Sequence, residues 1–84
     1  MSRLVKIYKS PRKQDMYLYV DYAEALTRVP QALLDRFGEP KEALSIELTP
    51  ERSLARANAD QVLAQIESAG YYLQLPPGDP ADLS

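Results

Sequence analysis

Residues 58–77 have the sequence NADQVLAQIESAGYYLQLPP, in which the signals of a helix, a turn and a strand follow one another. The Asn58 side chain can accept hydrogen bonds from the backbone N–H groups of a first helical turn. Gln61 can reach back to the N–H of Asn58, which is the reciprocal arrangement of a capping box. The pattern therefore predicts a helix that begins at Ala59 and ends at Gly70, where the chain needs a positive φ.

The spacing of apolar residues supports both elements. Those of the predicted helix recur at steps of three and four and form one buried face. They are Ala59, Val62, Leu63, Ile66 and Ala69. After Gly70 the period changes to two, with Tyr71, Leu73 and Leu75 on one face of a predicted strand. The prolines at 76 and 77 lack backbone donors, so the strand is expected to end there.

Five short segments resemble the YcgL family of small bacterial proteins. In chain order they are YKS at 8–10, YLYV at 17–20, RVP at 28–30, FGEP at 37–40 and GYYLQLPP at 70–77. The resemblance implies a compact α/β domain over residues 1–77 with no assigned catalytic residues. It also implies a link to RNA metabolism, because genes of similar proteins lie beside a ribonuclease D gene in some bacterial genomes. Ribonuclease D is thus a candidate protein partner.

Length and composition exclude several classes of chemistry. A chain of 84 residues supports one domain. It contains no cysteine and no histidine, which excludes disulfides, thiolate or imidazole metal sites, and Ser–His or Cys–His nucleophile pairs. Carboxylates near predicted turns (Asp15, Asp21, Glu47 and Glu51) show no pattern of a catalytic pair. We therefore expect a protein that is not an enzyme and that holds no cofactor or metal.

No membrane or export signal is visible in the sequence. There is no apolar run near the ~20 residues that span a bilayer, and the N-terminus lacks the apolar stretch of a signal peptide. A cytoplasmic protein that does not contact membranes is expected. Residues 78–84 are mostly small and polar and include one proline, a composition typical of a disordered tail.

Three further strands and a second helix complete the predicted fold. Alternation predicts strands at 4–8, 16–20 and 43–48, and Pro30 and Gly38 bracket a short helix. Residues 21–27 have no clear signal, and residues 53–56 fit a short strand or a helical turn, of which we favour the strand. The expected class is α+β. A mainly antiparallel sheet of four or five strands, in the order β-β-α-β-(β)-α-β, would pack both helices on one face.

Strand periodicity then assigns side chains to the two faces of the sheet. The residues expected to face the helices are Val5, Ile7, Met16, Leu18, Val20, Leu44, Ile46 and Leu48. Those expected on the opposite, solvent-facing side are Lys6, Tyr8, Tyr17, Tyr19, Ser45 and Glu47, joined by Tyr72 and Gln74. Tyrosine rings interleaved with lysine could anchor a protein or stack on bases. The alternative is that cross-strand tyrosine pairs only stabilise an exposed sheet face.

A basic segment lies next to this predicted surface. Residues 1–14 hold five basic residues and no acid, and the loop at 9–13 could contact an acidic partner or phosphate, or be only a solvated hairpin end. The candidate binding residues are Lys6, Tyr8, Lys9, Arg12, Lys13, Tyr17, Tyr19 and Tyr72. Together they predict a non-enzymatic protein-interaction module, and alternatively direct binding of RNA or single-stranded nucleic acid. The strand at 71–75 could also accept a partner strand if it forms a sheet edge, although its prolines are typical of a protected edge.

Overall fold

The computed structural model describes residues 2–54 and 57–76. Its elements are β1 (Arg3–Lys9), β2 (Tyr17–Asp21), α1 (Gln31–Phe37), β3 (Lys41–Leu48), α2 (Ala59–Ala69) and β4 (Tyr71–Gln74). Their order and the α+β class confirm the prediction. Residues 53 and 54 belong to no strand, while residues 55 and 56 and the tail at 78–84 lie outside the described residues.

The four strands form one antiparallel sheet in the order β3-β1-β2-β4. The predicted β1–β2 hairpin is present, with Ile7 opposite Tyr19 and Tyr8 opposite Leu18. On the other side of β1, Ile7 lies opposite Leu44 of β3. β3 and β4 are consequently the two edges of the sheet.

Helix α2 begins and ends through the local signals described for its sequence. The Asn58 side chain accepts a hydrogen bond of 3.2 Å from the N–H of Gln61. Gly70 adopts the left-handed conformation (φ 94°, ψ −3°), and its N–H donates to the carbonyls of Gln65 and Ile66. The predicted capped helix with a glycine stop is confirmed.

Helix α1 begins one residue later than the position of its proline suggested. Pro30 is extended (φ −61°, ψ 143°) and precedes the first helical residue, Gln31. At the other end Gly38, with a φ of 86°, donates its N–H to the carbonyl of Leu34. In the segment at 21–27, which carried no clear signal, Asp21 ends β2 and residues 22–27 form consecutive turns.

The two helices lie on opposite faces of the sheet, so the prediction that both pack on one face is wrong. Val62 and Ile66 of α2 pack in a cluster with Val5, Ile7 and Tyr19. The side chains from the α1 region pack in a second cluster with alternate residues of the same strands. Its buried members are Tyr8, Met16, Leu18, Val20, Val29 and Phe37. The molecule therefore has two apolar interiors separated by the sheet.

The register of the hairpin explains this difference. Because Ile7 lies opposite Tyr19, the aliphatic face of β1 continues into the tyrosines of β2 and not into Leu18 and Val20. A shift of one residue exchanges the two faces of a strand, and a period of two alone does not determine the register. The expectation that Val5, Leu18 and Val20 share one face of the sheet is therefore wrong. Val5 faces α2, whereas Leu18 and Val20 face α1.

Candidate functional site

The tyrosines expected on a free sheet face are largely interior. Tyr19 is only 6% exposed, and its hydroxyl donates a hydrogen bond of 3.0 Å to Oε1 of Gln74. The ring of Tyr72 contacts that of Tyr19 edge-on, with centroids 5.8 Å apart. Both Tyr72 and Tyr17 are half-buried against the α2 cluster, and Tyr8 is 9% exposed in the other cluster. The predicted tyrosine surface is therefore not formed, and these rings stabilise the two interiors.

One sequence signal was available for this outcome. Residues 16–20 (MYLYV) contain no charged or amide side chain. Such a continuous run is typical of a strand that is covered on both faces. Gln74 gave no such signal, because a buried glutamine is recognised only through its hydrogen-bond partner.

The basic candidates lie at two places in the fold: Lys6 is in the middle of β1, and the other three are at the end of the hairpin, where Lys9 lies opposite Tyr17. The Nζ of Lys6 lies 3.4 Å from Oε1 of Glu42 and 4.8 Å from the centroid of the Tyr22 ring, so a carboxylate already balances its charge. Lys9, Arg12 and Lys13 are exposed at the end of the hairpin. The side chain of Arg12 lies beside Gly38, along a cleft that Asp35 and Glu39 also line. A role of this loop in binding stays a prediction.

Ser10 holds the basic loop in place. Its hydroxyl donates a hydrogen bond of 2.5 Å to the carbonyl of Phe37. The same oxygen accepts from the N–H groups of Arg12 (3.1 Å) and Lys13 (3.2 Å). The loop is thereby fixed to the C-terminal end of α1, on the far side of the sheet from α2.

Asp21 connects β1, β2 and the turns that follow. Its carboxylate accepts hydrogen bonds from a guanidinium nitrogen of Arg3 (3.0 Å) and from the N–H groups of Ala23 (3.0 Å) and Glu24 (3.1 Å). Burial raises the pKa of Asp21, but the hydrogen bonds from Glu24, Arg3 and Ala23 outweigh it and hold the pKa below its ordinary value. Arg3 also pairs with Glu67 of α2. The cluster is structural, because it joins β1 and β2 to α2.

The least covered element is β3. Six of its eight residues are exposed, and Leu44 keeps 50% of its surface accessible. Helix α2 contacts β2 and β4, which form the half of the sheet away from β3. Leu4, which lies opposite Glu47, is 57% exposed. Periodicity predicted Leu44 as an interior residue, and it could not show that Leu44 belongs to an edge strand beyond the helix.

The hydrogen-bonding pattern of β1 shows which backbone groups of β3 face outward. Directly opposed residues bond at both ends of the hairpin, from Tyr22 N–H to the Leu4 carbonyl (2.9 Å) and from Ser10 N–H to the Met16 carbonyl (3.0 Å). Since antiparallel bonding alternates along a strand, even-numbered residues of β1 bond to β2 and odd-numbered ones to β3. Val5 and Ile7 therefore bond to Ile46 and Leu44, which lie opposite them.

It follows that Ser45 and Glu47 direct their N–H and C=O groups away from the sheet. A register shift between Ile7 and Tyr8 interrupts the ladder near Ala43. The regular part of the free edge is thus 44–48. We call this segment, with the outward backbone groups of Ser45 and Glu47, the β3 edge.

The described part of the chain contains neither a metal-binding group of acidic side chains nor a membrane-spanning helix. Within residues 2–54 and 57–76, no three acidic side chains come together in a group that could hold a metal ion. Over the same ranges, none of the helices has the length and hydrophobicity to cross a membrane.

Comparison with known proteins places the sequence in a bacterial family. Residues 5–77 match the model of the YcgL domain. The chain is 56% identical to a YcgL domain-containing protein of Pseudomonas aeruginosa (strain PAO1) over 79 residues, which cover 94% of this chain and 81% of the relative. Identity and coverage are the same for a relative from Stutzerimonas stutzeri (strain A1501). For a relative from Pseudomonas putida (strain KT2440), identity is 56% over 92% of this chain and 79% of the relative. These names specify the domain and no activity.

Proposed function

This chain belongs to the YcgL domain family, and we propose that it acts as a non-enzymatic protein-interaction module that contacts its partner through the β3 edge. The observation that carries the proposal is the exposure of β3, six of whose eight residues are accessible to solvent. Proteins usually shorten, cover or pair the edges of their sheets, because a free edge accepts strands from other chains. A long and accessible edge is thus a natural place for a partner to bind.

The other edge of the sheet supports this choice by contrast. β4 has only four residues and is followed by Pro76. The residues of β4 whose backbone groups point away from β2 are Tyr71 and Leu73, and their side chains pack in the α1 cluster. A partner strand that added to β4 would therefore have a shorter edge to pair with than at β3.

Two of the four candidate carboxylates make contacts that support a role without catalysis. Asp21 is engaged by Arg3 and by two backbone N–H groups, and Glu47 accepts a hydrogen bond of 3.2 Å from the Ser2 hydroxyl. The Asp21 contacts connect elements of the fold, and the Glu47 contact joins β3 to the residue before β1. The nucleic-acid alternative retains only the basic loop, because the tyrosine face that it also required is interior.

Affinity capture from a lysate of the native host, with quantitative mass spectrometry, tests the proposal. The bait is the tagged chain, and the critical variant is Ser45→Pro, which removes an outward N–H and blocks an added strand. Ser45→Ala is the matched control, because it keeps the backbone donor. We expect a protein that wild type and Ser45→Ala capture and that Ser45→Pro loses. Ribonuclease D is the first candidate to look for.

The proposal fails if all three folded baits capture the same proteins. It fails equally if wild type captures nothing beyond a tag-only control. Circular dichroism of each bait establishes that it is folded. Losses with Ser45→Pro then report on the edge and not on unfolding.

A further inference from the structure

We infer that the segment bound at the β3 edge is an extended peptide of another protein in which aliphatic and basic residues alternate. The inference rests on the proposed function and specifies the partner's chemistry. It combines three features of the edge: its outward backbone groups, the apolar side chains on one face and the carboxylate on the other.

The backbone groups provide the attachment. Ser45 and Glu47 each present one N–H donor and one C=O acceptor to the outside of the sheet. An added strand can exchange hydrogen bonds with both residues. This main-chain pairing gives affinity without sequence preference, and specificity then depends on the alternating side chains.

On the α2 side of the sheet, the added strand would meet aliphatic side chains. Leu44 and Ile46 point to this side, with Leu44 half exposed and Ile46 half-buried against the α2 cluster. Every second residue of an added strand would lie beside them. Aliphatic residues at those positions would remove the exposed apolar surface of Leu44 from water.

On the α1 side, the added strand would meet Ser45 and Glu47. The neighbouring carboxylate of Glu42 is paired with Lys6, whereas Glu47 accepts its hydrogen bond from the neutral hydroxyl of Ser2. A lysine or arginine opposite Glu47 forms a favourable cross-strand pair. The chain as a whole carries a net charge of −2, which also favours the approach of a basic segment.

A second copy of this chain fits the same edge less well. Two-fold pairing centred on Ile46 brings the two Glu47 side chains into diagonal neighbouring positions, and pairing centred on Glu47 places them directly opposite. Like charges in cross-strand positions are destabilising. Pairing centred on Ser45 would instead extend into the irregular backbone near Ala43. The edge is therefore complementary to a basic strand and not to itself.

Fluorescence anisotropy with two labelled decapeptides tests the inference. One peptide alternates valine and lysine, and the other alternates valine and glutamate. We expect the valine–lysine peptide to bind wild type up to about fivefold more tightly, which is the upper end of the effect of one exposed cross-strand ion pair. Glu47→Lys should reverse the preference. Ser45→Pro should abolish binding without changing the net charge, which separates strand addition from general attraction between a basic peptide and an acidic protein.

Amide exchange measured by NMR locates the bound peptide. On saturation with the valine–lysine peptide, exchange of the Ser45 and Glu47 amides should slow by about tenfold or more, because these donors become hydrogen-bonded. Equal binding of both peptides, no binding of either, or binding without this protection would overturn the inference. If lysate capture nevertheless depends on Ser45, the interaction module stands and only the partner's chemistry is wrong. If Ser45→Pro has no effect in either assay, both proposals fail.

Discussion

Gly70 ends α2 in a backbone conformation that residues with a side chain rarely adopt, with a φ of 94°. A Cβ at this position would also lie 2.5 Å from the Cβ of Arg28. Gly70→Val is therefore expected to lower the free energy of unfolding by about 1–3 kcal/mol from backbone strain, with a further loss from the contact. Urea denaturation measures the change. Ala69, which periodicity placed on the buried face of the helix, is exposed in the structure. Ala69→Val should therefore cost only about 0.5 kcal/mol, and equal losses for the two variants would contradict this account of Gly70.

The carboxyl group of Asp21 makes the free energy of unfolding depend on pH. Its pKa is lower in the folded chain than the ordinary aspartate value of about 3.9. The stabilisation is fully present above the ordinary pKa and is lost as the pH falls through the lower, folded-state pKa. Urea denaturation at neutral pH and near pH 3 should thus show a larger loss for wild type than for Asp21→Asn. Identical losses in the two chains would mean that Asp21 does not contribute in this way.

At the scale of whole elements, α2 packs on one face of the sheet through Val62 and Ile66. Ile66 has no exposed surface and packs in the cluster with Val5 and Tyr19. Ile66→Ala should therefore lower the free energy of unfolding by roughly 2–5 kcal/mol. Gln65→Ala, at the exposed neighbouring position, should leave it nearly unchanged. A melting temperature near that of wild type for Ile66→Ala would show that α2 does not pack as described.

Proline substitutions in β3 test which of its backbone N–H groups point away from the sheet. Ser45 directs its N–H outward and can lose it, whereas Ile46 donates to β1 and cannot. We expect Ser45→Pro to fold with a modest loss of stability and Ile46→Pro to lose about 3 kcal/mol or more. Thermal unfolding followed by circular dichroism compares them. If Ser45→Pro is the less stable of the two, the outward and inward assignments are reversed.

Elements whose signals are local were predicted well, and their mutual arrangement was not. The cap at Asn58 and the stop at Gly70 act within a few residues, so the sequence around them is sufficient. The face to which Tyr19 points depends instead on how β2 aligns with β1, and that alignment is stabilised by contacts on both sides of the sheet. A period of two is compatible with either alignment.

The topology of the whole molecule explains why the candidate site is the β3 edge and not the tyrosine face. The tyrosine surface required both helices on one side, but the chain places one layer on each face and buries Tyr8 and Tyr19. The exposed β3 edge follows from the strand order β3-β1-β2-β4, which the succession of elements along the chain does not reveal. Leu44 has the same pattern in sequence as a buried strand residue, and only its position at the edge leaves it exposed.

Hydrogen exchange of the backbone amides in the free chain, resolved by NMR, tests the β3 edge most directly. The amides of Leu44 and Ile46 donate to β1 and should exchange at least about a hundredfold more slowly than those of Ser45 and Glu47. Protection of all four amides to the same degree would contradict the account, because it would mean that the outer side of β3 is already paired in the free protein.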